Sequence, residues 1–256
     1  MANHKVEVQT HCSGANLGPG FDNAAVAYKD LVLTATGEMT PKQGLEIKFT
    51  GKYVFPTGVD SRPRLVYEAM KADFADIVDG GLLVEFRNDI KDGGMGSSGA
   101  NCAAIAEFLN HFYRLNLSNQ QKAGYAAKGE PGHSDNVNAT IHGGVVFTGE
   151  YKKRPSPSDF EPHKIPHNIV PAVVIPKDIV KYGGTAQARE IKPEWNINRP
   201  YRNLLYNLLV QGFDSDDFGT ARYAIDTYSH WAQSVTSLRN AMEIYKVDVN
   251  ALNSSL

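Results

Sequence analysis

The sequence predicts a chain of mixed α and β content, and three observations carry that reading. Short runs in which apolar and polar residues alternate stand between stretches of helical apolar spacing. Glycine-rich segments join the two kinds of element, and no internal repeat organises the whole. At 256 residues the chain has room for one large core or for two fused lobes.

Taken in order, Val6 and Val8 alternate with Lys5, Glu7 and Gln9, which predicts a half-buried strand running into Thr10-His11-Cys12. It leads into residues 13–22, SGANLGPGFD, a loop whose glycines, proline, Asn16 and Asp22 suit a special backbone path and can turn polar groups into a site. Taken alone, that segment reads first as a tight surface connection. Strands follow around Ala25 to Thr34 and through Leu45, Ile47 and Phe49. Pro63 is placed to open a helix through Val66, Met70, Phe74 and Ile77, with Lys71, Asp73 and Asp76 as its solvated face.

The most informative junction is central. Residues 82–86, LLVEF, form a short apolar strand-like run, residues 92–100 read DGGMGSSGA, and Ile105, Phe108, Leu109 and Phe112 recur at helical spacing. A strand, glycine loop and helix in that order let the backbone approach a ligand closely. The unpaired amides of the first helical turn and the positive end of the helix dipole suit phosphate. Ser97 and Ser98 can cap the helix or offer hydroxyls to a phosphate or its Mg²⁺. A plain connecting turn with a serine cap is the competing reading. No lysine precedes the serines as in a P-loop, and the G-x-G-x-x-G dinucleotide pattern is absent.

Ser118 to Gln121 has the form of a capping box, predicting a helix to about Lys128. Residues 129–136, GEPGHSDN, then gather Glu130, His133, Asp135 and Asn136 between regular elements, where binding and catalysis concentrate. A helix through Val137 to Ile141 and a strand through Val145 to Phe147 follow. Residues 151–168 hold several prolines and basic residues and read as an exposed connection between lobes. Beyond it come a strand over 172–175, a short helix over 185–190 carrying Arg189, a core-facing stripe of Leu204, Leu205, Leu208 and Leu209, and a helix over 223–241. Arg189 reads alone as a surface ion-pair member or as a carboxylate or phosphate clamp.

Composition narrows the function. A net charge of -2 argues against broad nucleic-acid or anionic-membrane binding. Cys12 and Cys102 lack metal-site spacing and read as free buried thiols in a reducing compartment. With no apolar run near membrane-span length and no secretory leader pattern, the expected location is the cytoplasm.

Three segments in one order then point further. Residues 13–22, residues 93–100 and residues 133–136 followed by Gly143-Gly144 together resemble the GHMP kinases, most closely the homoserine kinase branch, and residues 185–189, TAQAR, resemble that branch's T-x-x-A-R segment. The resemblance implies an α+β, two-lobed fold, with an N-terminal lobe similar to ribosomal protein S5 over 1–150. A ferredoxin-like C-terminal lobe, incomplete at its end, would occupy 151–256. It implies ATP-dependent phosphorylation of the side-chain hydroxyl of L-homoserine, with ATP and Mg²⁺ as cofactors, no nucleic-acid or membrane partner, and a homodimer. Gly93, Gly94, Met95, Gly96, Ser97, Ser98, Gly99 and Ala100 would wrap the ATP phosphates, and Ser98 and Glu130 would hold Mg²⁺. Asn16, Asp22, His133, Asp135 and Arg189 would bind homoserine, with Asp135 and Asn136 beside the reacting hydroxyl.

The sequence also departs from that family. Its glycine loop is short, Lys91 and Asp92 stand where proline or glycine is expected, the interval from Glu130 to His133 is compressed, and the last glycine is Gly219. These departures keep two alternatives in play: a mevalonate- or shikimate-type kinase, and an inactive nucleotide-binding relative.

Overall fold

The computed structural model describes residues 5–20, 22–53, 61–76, 78, 80–90, 95–131, 134–148, 162–163 and 199–234. The chain divides into two compact units, Met1–His167 and Asn168–Leu256.

The first unit is built on a six-stranded mixed sheet. Strand β1 (Lys5–Ala15) pairs antiparallel with β2 (Ala24–Thr40), whose 17 residues are the spine of the sheet. Along its other side β2 pairs antiparallel with β4 (Gly81–Arg87) at one end and with β5 (Val145–Phe147) at the other. Strand β3 (Gly44–Thr50) lies parallel to β4, and β6 (Pro162–His163) closes the edge beyond β5. The strands predicted up to Phe147 are all present among these. The register of β1 shifts between His11 and Ser13, so the strand bends just as it enters its polar segment.

Helix α1 (Arg62–Asp73) opens at Pro63 and buries Val66, Tyr67 and Met70; Ile77 lies outside the described residues. Helix α2 (Ser97–Tyr113) is the central helix, with Ile105, Phe108 and Leu109 fully buried. Its N-cap is Gly96 and no side chain caps it. Ser97 and Ser98 therefore do not cap α2 as the sequence allowed; they sit inside its first turn. The capping box does form, with the Gln121 amide donating to Ser118 Oγ and the Ser118 amide to Gln121 Oε1, opening α3 (Asn119–Ala126). A 3₁₀ turn over Ala127–Gly129 and helix α4 (Ser134–His142) follow.

Leu33, Ala35, Val84 and Phe86 of the sheet, Val66 and Met70 of α1, and Ile105 and Phe108 of α2 make one buried cluster. Close packing of this kind fixes where the ends of α1, α2 and α4 lie. Both cysteines are free and buried, and burial pushes the Cys12 thiol up to about 12 and that of Cys102 well above its ordinary value. Among the described residues no helix is long and apolar enough to cross a membrane.

In the second unit, helices α5 (Arg199–Asp214) and α6 (Phe218–Ser234) pack on each other through Leu205 and Tyr228. Leu204 is 54% exposed, so the expected four-leucine stripe narrows to Leu205 and Leu209, with Leu208 half-buried. Helical spacing picks out a face, and the width covered depends on the partner. The strand and helix expected over 172–190 lie outside the described residues.

Candidate active site

The chain places four polar segments around the first turn of α2. They are the end of β1, the turn over 16–23, the start of α4 and the C-cap of the 3₁₀ turn. Gly96 is the point where two of them, the end of β1 and the start of α4, meet that helix turn. Its φ is +64°, and a Cβ there would lie 2.5 Å from both the backbone oxygen and Oγ of Ser13, and 2.9 Å from Asn136 Oδ1. Glycine is required at Gly96 both by backbone conformation and by space.

Around that point the contacts interlock. The Ser13 amide donates to the Met95 carbonyl at 3.2 Å, tying β1 to the glycine loop. Its hydroxyl lies 2.9 Å from Asn136 Oδ1 and 3.1 Å from the Asn136 carbonyl, tying β1 to α4. Thr10 Oγ1 donates to the Ala100 carbonyl at 3.1 Å. Gly99 completes the approach of α2 to α4, since a Cβ there would be 3.2 Å from Asn136 Cβ. The first amides of α2 are left without a side-chain cap, at the positive end of a 17-residue helix. That is an anion site by construction.

The turn over 16–23 folds back on itself. Asn16 and Asp22 adopt φ of 63° and 56°, the left-handed region that asparagine and aspartate tolerate best. The Asp22 amide donates to Asn16 Oδ1 at 2.8 Å, so that side-chain oxygen shapes the loop. This turn brings a second carboxylate toward Asp135, which is 1% exposed. Burial pushes the Asp135 carboxyl up to about 6, and the charge of Asp22 adds to the rise. The backbone amides of Asn136 and Asn16 oppose it. Asp135 Oδ1 accepts from the Asn136 amide at 2.9 Å, and Oδ2 has no partner among the described residues. A buried acceptor in that condition suits a hydroxyl or ammonium donor.

Glu130 is 3% exposed and lies on the far side of the α2 first turn. One of its oxygens is paired with the Arg62 guanidinium, and Oε1 has no partner among the described residues. The same Arg62 Nη1 donates to Ser98 Oγ at 2.9 Å. Ser98 and Glu130 therefore already share a cation, and with the buried Oε1 lacking a partner among the described residues these hard oxygen donors are of the kind that fits Mg²⁺.

Of the residues expected at the site, Met95, Gly96, Ser97, Ser98, Gly99, Ala100, Asn16, Asp22, Glu130, Asp135 and Asn136 lie around this turn. Gly93, Gly94, His133 and Arg189 lie outside the described residues. Ser13 and Arg62 were not expected. Arg62 carried one signal: a cation in the first turn of a helix opposes the dipole, and α1 has no acidic residue there to offset it.

This arrangement of sheet, uncapped central helix and polar turns defines an α+β fold, and comparison with known proteins shows what it is similar to. Residues 64–144 match the GHMP kinases N terminal domain. A homoserine kinase of Methanococcus vannielii is 33% identical over 199 residues, covering 74% of this chain and 62% of the relative. The chain thus spans less than two thirds of that relative's length. Among solved structures, a homoserine kinase from Cytophaga hutchinsonii superposes with a TM-score of 0.67 at 19% identity, over 88% of this chain and 72% of that one. A mevalonate kinase from L. major, in complex with R-mevalonate, superposes with a TM-score of 0.59 at 14% identity, over 89% and 75%. Over residues 64–144 the chain is similar to the N-terminal domain of the GHMP kinases, and its fold is the one those solved structures share.

Proposed function

We propose that this protein transfers the γ-phosphoryl group of ATP to the side-chain hydroxyl of L-homoserine, giving O-phospho-L-homoserine. One observation carries the reading: at Gly96, the uncapped start of α2 meets the start of α4, which holds the buried Asp135 and the half-buried Asn136. An anion-binding helix end and an acidic, donor-seeking pocket are thereby joined. The similarity to curated homoserine kinases supports the choice of acceptor.

In this reading the amides of 93–100, in a nucleotide-binding lobe over 1–150, receive the phosphates. Ser98 and Glu130 would hold Mg²⁺, which when bound would neutralise charge on the β- and γ-phosphates. Asp22 and Asp135 receive the ammonium of the substrate, helped by Asn16 and His133, and Arg189 receives its carboxylate. The substrate hydroxyl, oriented beside Asp135 and Asn136, attacks the γ-phosphorus as the bond to ADP breaks, and its proton passes to a phosphate oxygen. Phosphoryl transfer asks mainly for positioning and charge neutralisation, so a strong base is not required. The working location is the cytoplasm and the expected assembly a homodimer, as in the resemblance.

A coupled ADP-release assay with homoserine, mevalonate and shikimate tests the assignment. Turnover with homoserine alone is expected. Preference for another alcohol reassigns the substrate, and no turnover on any favours a non-catalytic nucleotide binder.

A further inference from the structure

Arg62 sits where a kinase of this family needs a cation and carries one of its own. Its Nη1 donates to Ser98 Oγ and to a Glu130 oxygen, bridging α2 to the 3₁₀ turn. The two partners are 36 and 68 residues away in sequence. The backbones that bring them together are closely packed: a Cβ on Gly129 would lie 2.6 Å from the Arg62 carbonyl oxygen and 2.5 Å from Cys102 Sγ. Main-chain geometry therefore holds the start of α1 against the Glu130 turn, whatever rotamer Arg62 adopts.

The two sides of the pair differ in freedom. The Glu130 side chain is 2% exposed, whereas that of Arg62 is 44% exposed. A carboxylate buried that deeply needs a counter-charge, because an ionised group taken out of water is costly unless it is paired. The guanidinium reaches it from the solvent side on a flexible stem, so it can leave without unpacking the core. A divalent ion on Ser98 and Glu130 and a guanidinium on the same two groups would repel each other at contact distance.

We propose that Arg62 is a resident counter-ion: it neutralises Glu130 and holds Ser98 until a divalent cation displaces it, and it is then free to meet the nucleotide's phosphates. The inference rests on the kinase reading above, since Ser98 and Glu130 are metal ligands only there. Arg62 is a positioning residue in the metal-free state. Its cost is competition with the metal, and its benefit is a counter-charge for the buried carboxylate when no metal is bound.

Mn²⁺ binding is the test, read by electron paramagnetic resonance on the full chain, with and without a non-hydrolysable ATP analogue, together with thermal unfolding. In R62Q, Mn²⁺ affinity is expected to rise about tenfold. The Tm without metal is expected to fall, and its rise on adding Mn²⁺ to exceed that of wild type. Equal Mn²⁺ affinity in R62Q and wild type overturns the displacement while leaving the kinase reading standing, provided wild type binds Mn²⁺ with the analogue. A wild type that binds neither overturns both. A wild-type measurement covers an R62Q that does not fold. Phenylglyoxal modification of Arg62, read by peptide mass spectrometry, is expected to accelerate severalfold at saturating Mn²⁺, and an unchanged rate overturns the proposal.

Discussion

Glu130 and Asp135 are both buried carboxylates, set at the two ends of the short stretch that joins the 3₁₀ turn to α4, yet the fold treats them oppositely. Glu130 is given an arginine. Asp135 is given another carboxylate, Asp22, and burial pushes it up to about 6. One carboxylate is therefore paired with a cation supplied from α1, and the other is set beside a like charge. On the proposed reading, two carboxylates in unlike environments divide the work of the site, one toward the metal and phosphates and one toward the acceptor.

The largest break in that comparison is expected at Glu130. E130Q keeps the volume and removes the charge, so kcat should fall by about 10²–10³ if this carboxylate positions charge in the transition state. S98A removes the neutral member of the same pair and should cost less, on the order of 10–10². Steady-state kinetics at saturating Mg²⁺ and ATP would measure both. Should E130Q retain wild-type kcat, the metal half of the site lies elsewhere.

Asp135 should respond in another way. D135N is expected to keep kcat within about tenfold of wild type while raising KM for homoserine, because an oriented donor is lost and no base is removed. A collapse of kcat would make Asp135 the base and end the orienting role. Stability supplies a second reading. The folded protein binds the Asp135 proton more tightly than the unfolded chain does, so its contribution to stability is lost as pH rises from about 4 through 6. At pH 7 the ionised buried carboxylate costs roughly 3 kcal/mol. D135N should accordingly be more stable than wild type near pH 7, with the difference gone near pH 4, as chemical denaturation at the two pH values would show.

Much of this was legible beforehand, for reasons the same two residues make clear. Strand alternation in β1 and β3, the α2 apolar stripe and the Ser118 capping box are local patterns, and local patterns survive folding when each agrees with the core. The polar segments around Asn16, Ser97 and Asp135 were legible as motifs. Arg62 was not, because its partners are distant in sequence and only the close approach of Gly129 to α1 brings them together. Nor was the depth of Asp135. A polar residue among Ser134 and Asn136 reads as exposed, and it is the packing of α4 against β1, β2 and α2 that leaves it 1% accessible. The serines at 97 and 98 read as caps because that is what serine commonly does before a helix; the left-handed Gly96 takes the position, and the helix starts a residue earlier than a serine cap would allow.

The smallest expected effect tests the link between the two acidic side chains themselves. In wild type, kcat/KM for homoserine should fall as pH drops below about 6, where Asp135 takes up its proton and loses its hold on the ammonium, while kcat stays nearly flat. D22N removes the like charge that helps raise Asp135, and leaves burial, the larger cause, in place. The acid limb should therefore move down by a fraction of a pH unit, and KM should rise by a similar factor at every pH because a second ammonium partner is gone. The two effects separate cleanly, since a uniform loss of binding scales the profile without moving its midpoint. A midpoint that stays put in D22N would mean that the limb belongs to another group, or that Asp22 and Asp135 do not feel each other, and the acidic pocket would lose its claim to the substrate's amine.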